Sequence, residues 1–419
     1  MASQQTFVIV GAGLAGAKAA ESLRAWGFDG RVVLVGEEPL RPYQRPPLSK
    51  SYLRGRSGFE EATVHPASFY EDKEIELLTS TRVTRIDPRA NEVELSPGER
   101  ELPYDALLLA TGARPRPLTV PGADLGRVFH LRSFSDAEAL RRAARAASKV
   151  AVIGTGWVGT EVAASPRRLG LEVVLVGRGA VPLQRALGPE VGQVFADLHT
   201  THGVEVHLGV GVEALGGRRW VEEVRLTDGS VLHCDLVVAG LGALPRAGLA
   251  QAAGLAVADG VLTDSQLETS APGIFAAGDV ANLPHPALPG RIRVEHWWGA
   301  LTEGPVAAAN MVGQRAVYDW IPTFTSKQFD LLVEYTGQAT GWDQVVVRGD
   351  PASGSFVAFW LQGGRMLAGL NANAPGLARH IQALVTNGQP VDPRQLADPD
   401  VDLAALGQEE WSGPAARRG

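Results

Sequence analysis

The sequence predicts an α/β fold of two nested, doubly wound units followed by a C-terminal α+β domain. Three observations predict it. An order of buried strand, glycine-rich turn, helix and second strand occurs twice. Each copy is echoed later by a buried strand that ends in glycine, with proline soon after. From Trp320 the alternation gives way to short strands separated by glycine-rich turns. The chain has 419 residues, enough for two or three domains.

Residues 6–10 are apolar and β-branched, as in a strand buried on both faces. Gly11-Ala12-Gly13-Leu14-Ala15-Gly16 follows at once. Residues 17–26 read as a helix with small residues toward the sheet, and residues 31–35 as the second strand, with Glu37 just beyond. The second copy opens with the strand 149–153 and the turn Gly154-Thr155-Gly156-Trp157-Val158-Gly159. A helix over 160–169 and a strand over 172–176 complete it. Pro166 is expected to kink that helix or end it, because its ring removes a backbone donor and crowds the preceding turn.

The two late strands are residues 104–112, ending at Thr111-Gly112, and residues 234–242, ending at Gly240-Leu241-Gly242. A further short strand over 271–279 ends in Gly278-Asp279. The simplest topology inserts the second unit into the first. Residues 1–111 and 244–319 then form the first unit and 112–243 the second. Residues 320–406 form the third domain, with strands at 331–335, 344–347, 356–361 and 365–370 and a helix over 375–386. Residues 407–419 read as a disordered tail.

A net charge of −7 supplies no global basic field for nucleic acid. No apolar run is long enough to cross a membrane, and because residues 1–6 lack a basic region and a cleavage site, no signal peptide is expected. A reducing cytoplasm is the expected compartment. The single cysteine, Cys234, opens a buried strand and reads as a small core residue. Alone it can form neither an internal disulfide nor a cysteine metal cluster.

A lone GxGxxG is a weak signal, but each copy here has the strand before it and the helix after it that the chemistry requires. Gly11, Gly13 and Gly16, and again Gly154, Gly156 and Gly159, permit a tight turn and close approach of a pyrophosphate. The helix N-terminus supplies free N–H groups for that anion. Glu37 lies about twenty residues past the first turn, where an acid accepts ribose hydroxyls. Two such sites in one chain imply transfer between two redox cofactors. With the Gly278-Asp279 element, the first site suits FAD and the second a nicotinamide nucleotide, the protein contributing mainly position.

On these residues and four further motifs the sequence resembles the FAD-dependent NAD(P)H:ferredoxin reductases of bacterial oxygenase systems, from about residue 5 to residue 406. The most specific motif is Arg41-Pro42-Tyr43-Gln44-Arg45-Pro46-Pro47-Leu48-Ser49-Lys50. Ala110-Thr111-Gly112-Ala113, Gly278-Asp279-Val280 and Arg293-Val294-Glu295-His296-Trp297 support it. The resemblance implies two Rossmann-like FAD- and NAD(P)-binding domains in a glutathione-reductase-like architecture, with non-covalent FAD and with NADH or NADPH as co-substrate. It implies that Leu14, Ala15, Arg45, Thr111, Gly112 and Gly278 belong to the FAD site. Glu37 would take the adenosine ribose, Val83 the adenine, and Arg132 and Asp279 the ribityl-phosphate region. Lys50 would lie by the flavin ring and Trp297 would pack near it. Glu161 would face the nicotinamide and pair with Lys50, and Gly242 would line the second site. Read alone, Lys50 is also compatible with a solvated lysine, Asp279 with a helix cap, Glu161 with an exposed helix acid, and Trp297-Trp298 with core packing.

Relatives that reduce disulfides need a dithiol near the flavin, and related peroxidases use one reactive N-terminal cysteine. With Cys234 far along the chain, electrons are expected to leave singly, to a small iron–sulfur ferredoxin, expected to be of the 2Fe–2S type, serving a haem monooxygenase or a Rieske-type dioxygenase. Arg41, Arg45, Arg54, Arg56 and Lys327 are candidates for a basic rim that docks an acidic ferredoxin. A monomer or weak homodimer is expected. Two alternatives stay open: an NAD(P)H oxidase or diaphorase, and a flavin-bound signalling protein like apoptosis-inducing factor. The sequence departs from the resemblance at Gly177-Arg178, where an acid is usual. Losing it removes repulsion of a 2′-phosphate, which Arg178 could bind, so NADPH is expected to serve at least as well as NADH. It departs again at Thr325 and Lys327, which replace an aromatic and an acid.

Overall fold

The computed structural model describes residues 5–98 and 100–406. Its first sheet has five parallel strands in the order Ile274–Ala276, Ala106–Leu109, Thr6–Val10, Arg31–Val35, Ile75–Leu78. The second repeats that order with Val128–His130, Leu236–Ala239, Lys149–Ile153, Glu172–Gly177 and Glu205–Leu208, again all parallel. In both, the strand that feeds the glycine turn is central. The next strand lies on one side of it and the late strand on the other. That reversal opens a crevice at the carboxyl ends of the strands.

The duplication extends to the covering layers. Strands Arg82–Asp87, Glu92–Ser96 and Arg100–Pro103 form an antiparallel sheet whose Val83, Ile86, Val93, Leu95 and Leu102 join the core of the first unit. Strands Val212–Gly216, Glu223–Leu226 and Val231–His233 do the same in the second, where Cys234 packs with Val174, Val176 and Val237. Burial pushes the Cys234 thiol up to about 11. The first unit's fifth strand follows the second unit in sequence, whereas the second unit's fifth strand precedes its own glycine turn. The outgoing and returning chain segments pair antiparallel as Ala113–Pro115 and Ala243–Pro245.

The helices begin earlier than the sequence pattern suggests, at Leu14 and Trp157, because the third glycine of each turn is already helical. A Cβ on Gly16 would sit 2.0 Å from the Gly11 carbonyl oxygen, and one on Gly159 1.9 Å from that of Gly154. Only glycine lets each helix start against its own turn. Of the two expectations for Pro166, the structure shows the end and not the kink: the helix runs Trp157–Arg168 and carries the proline in its last turn. Its carbonyl accepts the Leu169 and Leu171 N–H groups, so the ring marks the exit and not a break.

The third domain is an antiparallel sheet ordered Thr323–Gln328, Leu331–Gly337, Arg365–Ala372, Ser355–Gln362, Gln344–Asp350, covered by the helix Ala378–Asn387. Its first strand escapes a sequence reading because its inward residues, Ser326 and Gln328, are polar. The expected tail, 407–419, lies outside the described residues. No helix among the described residues is long and apolar enough to cross a membrane.

Candidate active site

Each glycine turn is a corner that leaves room for a ligand. Gly11 has φ +121°, and a Cβ there would lie 2.1 Å from the Ala110 carbonyl oxygen. Gly154 has φ +109°, with the Gly240 carbonyl oxygen 2.2 Å away. A Cβ on Gly13 or Gly156 would meet no atom within 4 Å, so the space above each helix start is open. No side chain caps the helices at Leu14 or Trp157. Their first-turn N–H groups therefore face that space, as an anion requires.

Glu37 stands at the edge of the first corner. It is bonded by Arg82 and, at 2.7 Å, by Arg246 Nη1. The Arg82 hydrogen bond, with Arg246 adding, holds its carboxyl below the usual carboxylate range. The Thr111 hydroxyl donates to the Arg246 carbonyl at 2.9 Å, and Arg246 N–H donates to the Gly112 carbonyl at 2.9 Å. The late strand's Thr-Gly end and Glu37 are thus one bonded assembly through Arg246. Val83 is buried in the neighbouring strand Arg82–Asp87.

Arg132 and Asp279 form an ion pair at 2.5 Å. Asp279 is followed by the strand Ala281–Pro284, so it caps no helix. Arg45 Nη1 donates to the Arg132 carbonyl at 2.5 Å, and its Nη2 pairs with Glu38 at 3.1 Å. Tyr43 donates to Glu38 at 2.5 Å, and burial pushes its hydroxyl up to about 12. Two residues the sequence reading missed complete this region. Glu303, fully buried on the helix Trp297–Met311, accepts the Gly278 N–H at 2.7 Å, and burial raises its carboxyl well above the ordinary value. His296, in contact with Phe324, is pushed down to about 4 by burial. Arg132 Nε, His296 Nδ1 and Glu303 Oε1 are buried without a partner. Such atoms are costly unless a ligand or water meets them. With the open glycine corner, they fit a polar, phosphate-bearing ligand such as FAD.

The three domains meet at Glu161. Lys50 Nζ donates to its Oε2 at 2.5 Å, Ser49 Oγ to the same oxygen at 2.8 Å, and Ser326 Oγ to Oε1 at 2.7 Å. Lys50 and Ser49 come from the loop after the first unit's second strand. Glu161 comes from the helix that leaves the second corner, and Ser326 from the third domain. Ser165 donates to the Ser49 carbonyl at 2.6 Å and fixes that loop on the helix. Gln328 continues the chain of contacts, donating to Ser326 Oγ at 3.3 Å and contacting His199 Nε2 at 3.0 Å. Glu161 is buried, not an exposed helix acid, and Lys50 is ion-paired, not merely solvated. Trp297 is exposed rather than core, and its Nε1 donates to Gln44 at 3.1 Å.

The expected basic rim is corrected in part. Arg41 pairs with Glu60 and lies over the Phe59 ring, and Arg45 is engaged by Glu38 and the Arg132 carbonyl. Arg56 and Lys327 are exposed. Arg54 is half-buried, and burial followed by the nearby Arg168 and Arg56 charges holds its pKa down. Arg168, which the sequence did not suggest, stands near Arg54, and its guanidinium donates to the Phe329 carbonyl and lies over the Phe329 ring. Arg178 is exposed at the edge of the second corner, and Gly242 lies in the loop after the late strand Leu236–Ala239.

Comparison with known proteins agrees with this arrangement. The pyridine nucleotide-disulphide oxidoreductase family matches residues 5–304, and a reductase C-terminal domain matches residues 323–407. Rhodocoxin reductase of Rhodococcus erythropolis is 39% identical over 401 residues, covering 95% of this chain and 93% of its own. The ferredoxin–NAD(+) reductase component of the anthranilate 1,2-dioxygenase system of Burkholderia cepacia is 42% identical over 410 residues, covering 96% and 99%. Among solved structures, the reductase in the covalent putidaredoxin reductase–putidaredoxin complex superposes with a TM-score of 0.93 at 36% identity, over 98% of this chain and 100% of that one. From its two glycine corners to its C-terminal sheet, this chain belongs to the pyridine nucleotide-disulphide oxidoreductase family, in its ferredoxin reductase branch.

Proposed function

We propose that this protein oxidises NADH or NADPH through non-covalently bound FAD and reduces a small iron–sulfur ferredoxin that serves a haem monooxygenase or a Rieske-type dioxygenase. One observation carries the reading. Two dinucleotide corners are tied together through Lys50 and Glu161, and no redox thiol stands beside them. Bound FAD supplies the ability to take electrons in pairs from a nicotinamide and release them singly.

The chain's own residues hold and orient. The corner of Gly11, Gly13, Leu14, Ala15 and Gly16 takes the FAD pyrophosphate. Glu37 takes the adenosine ribose and Val83 lines the adenine. Arg45, Thr111, Gly112, Arg132, Gly278 and Asp279 hold the ribityl-phosphate portion, and Trp297 covers the ring. Gly154, Gly156, Gly159 and Gly242 cradle the nicotinamide nucleotide. Three donors, two from the first unit and one from the third domain, fix the Glu161 carboxylate. It therefore holds the Lys50 ammonium in one place between the two sites and keeps both groups largely out of bulk water. Cys234 is buried with a raised pKa behind the second sheet, unsuited to act as a thiolate.

The ferredoxin is of the 2Fe–2S type, and the reductase works as a monomer or weak homodimer in the cytoplasm. The relatives named for rhodocoxin and putidaredoxin support a ferredoxin-type partner, and the lone cysteine, which excludes an internal disulfide, fits a reducing compartment. The test is cytochrome c reduction by NADH or NADPH with and without an added 2Fe–2S ferredoxin. A rate that depends on the ferredoxin is expected. Equal rates without it, with oxygen consumed, would instead indicate an oxidase or diaphorase.

A further inference from the structure

We infer that the second corner is built for a nucleotide carrying a 2′-phosphate, held by Arg178 and Arg185, so that NADPH is the preferred electron donor. The inference rests on the reading of that corner as the nicotinamide nucleotide site, and names which nucleotide it selects.

The two units can be matched residue by residue. Val10 pairs with Val35 in the first sheet and Ile153 with Val176 in the second. Gly11 N–H donates to the Val35 carbonyl and Gly154 N–H to the Val176 carbonyl, each at 2.8 Å. A Cβ on Gly36 would come 2.6 Å from the Ala12 side chain. One on Gly177 would come 2.4 Å from the side chain of Thr155, which is the equivalent residue of the second turn. Gly36 and Gly177 therefore occupy one structural position, and the residues after them, Glu37 and Arg178, occupy the next. That is where an adenosine ribose reaches the protein. The charge there is inverted between the two units.

The surroundings differ in the same sense. Glu37 is engaged by Arg82 and Arg246. Arg178 is exposed and makes no hydrogen bond or ion pair among the described residues. Arg185, in the first turn of the helical segment Gln184–Thr201, which is kinked at the non-helical Gly188, is likewise exposed and unpaired among the described residues. The segment between them is folded back on itself. Ala180 N–H donates to Gln184 Oε1 at 2.8 Å, and Gly209 N–H to the Gly179 carbonyl at 2.9 Å. Arg178 and Arg185 thus stand at the two ends of one short, closed segment. That helix has no acid in its first turn to compete for them. An acid at position 177 that could bond a free 2′-hydroxyl is blocked by Thr155, whose Oγ1 would stand 2.6 Å from the new Cβ. A dianionic phosphate between two unpaired arginines gains charge-assisted hydrogen bonds, whereas a 2′-hydroxyl there leaves the arginines to water.

The test measures the holoprotein in two ways. Calorimetric titration with 2′,5′-ADP and with 5′-ADP reads the 2′-phosphate site without turnover. Steady-state kcat/KM for NADPH and NADH, at saturating ferredoxin, reads it in the reaction. The wild type is expected to bind 2′,5′-ADP at least roughly tenfold more tightly than 5′-ADP and to favour NADPH. Arg178→Glu, which copies the first unit, is expected to abolish the 2′,5′-ADP preference and reverse the nucleotide preference. Arg185→Ala is expected to lower kcat/KM for NADPH by roughly tenfold, the size of one charge-assisted contact. Equal binding of the two nucleotides, with NADH preferred and still supporting ferredoxin reduction, would overturn the inference and leave the ferredoxin reductase reading standing. A flavin that neither NADPH nor NADH reduces would overturn both.

Discussion

Replacing Lys50 with methionine removes the only cation bonded to the Glu161 carboxylate among the described residues and keeps the volume of the side chain's stem. The side chain of Glu161 is 9% exposed and that of Lys50 23%, so the pair is mostly but not wholly withdrawn from water. Breaking a fully buried pair costs about 3–5 kcal/mol, because the remaining charge is left without compensation. The partial exposure of Lys50 and the surviving Ser49 and Ser326 donors reduce that to about 2–3 kcal/mol. The second variant, Lys50→Met with Glu161→Gln, leaves no uncompensated charge. The amide carbonyl introduced at position 161 can still accept from one serine, so stability is expected to return to within about 1 kcal/mol of wild type. Urea denaturation of the holoprotein, followed by flavin and tryptophan fluorescence, measures both changes. Stopped-flow reduction by NADPH measures function in the same preparations. The single variant should be destabilised and slow, and the double variant stable but still slow, because neither has an ammonium between the two sites. A double variant that regains the wild-type reduction rate would show that Lys50 and Glu161 serve only the fold.

Other outcomes follow from the same geometry. Ser326→Ala removes the donor to Glu161 Oε1 and should slow flavin reduction roughly fivefold or more with little change in KM for the nucleotide. Rapid-reaction traces over a nucleotide series check this. Gly11→Ala forces a Cβ against the Ala110 carbonyl at a φ that side chains avoid, so the purified protein should be colourless. Gly154→Ala should remain yellow and fail to bleach. Glu303 binds its proton more tightly folded than unfolded, because burial raises its pKa well above the ordinary value. Its burial is therefore least costly below its unfolded pKa, and stability is lost as pH rises toward the folded pKa. Glu303→Gln should accordingly stabilise the holoprotein more at about pH 8 than at about pH 5, because the cost of burying the acid grows as pH rises above its unfolded pKa, which thermal midpoints at the two pH values would show.

The glycine corners are legible in the sequence because their steric demands are local. Gly11 and Gly16, and Gly154 and Gly159, contact backbone within their own turn or the adjoining late strand, so spacing alone exposes them. Lys50, Glu161 and Arg132 are reached only through resemblance, and Asp279 stands out by itself only as the end of a short buried strand, its partner unseen. Lys50 and Glu161 are separated by 111 positions, and Arg132 and Asp279 by 147, and no spacing rule connects them. Ser326 and Gln328 are invisible because a buried polar strand lacks the apolar alternation that marks strands. Glu303 looks like any acid on a helix until its burial and its bond to Gly278 are known. Arg41 and Arg45 pass for surface charge because a count of cations does not show the acids folded against them. Pro166 is legible as a helix end but not as to which outcome holds, because the ring kinks a helix interior and is tolerated in a last turn.

The most direct test of the central claim is an anaerobic stopped-flow sequence in which the holoprotein is mixed with NADPH and then with an oxidised 2Fe–2S ferredoxin. The visible flavin band should bleach on the first mixing and recover on the second as two equivalents of ferredoxin are reduced for each nucleotide oxidised. A flavin that stays oxidised with both NADPH and NADH, or one that bleaches but passes no electrons to any iron–sulfur protein, would contradict it.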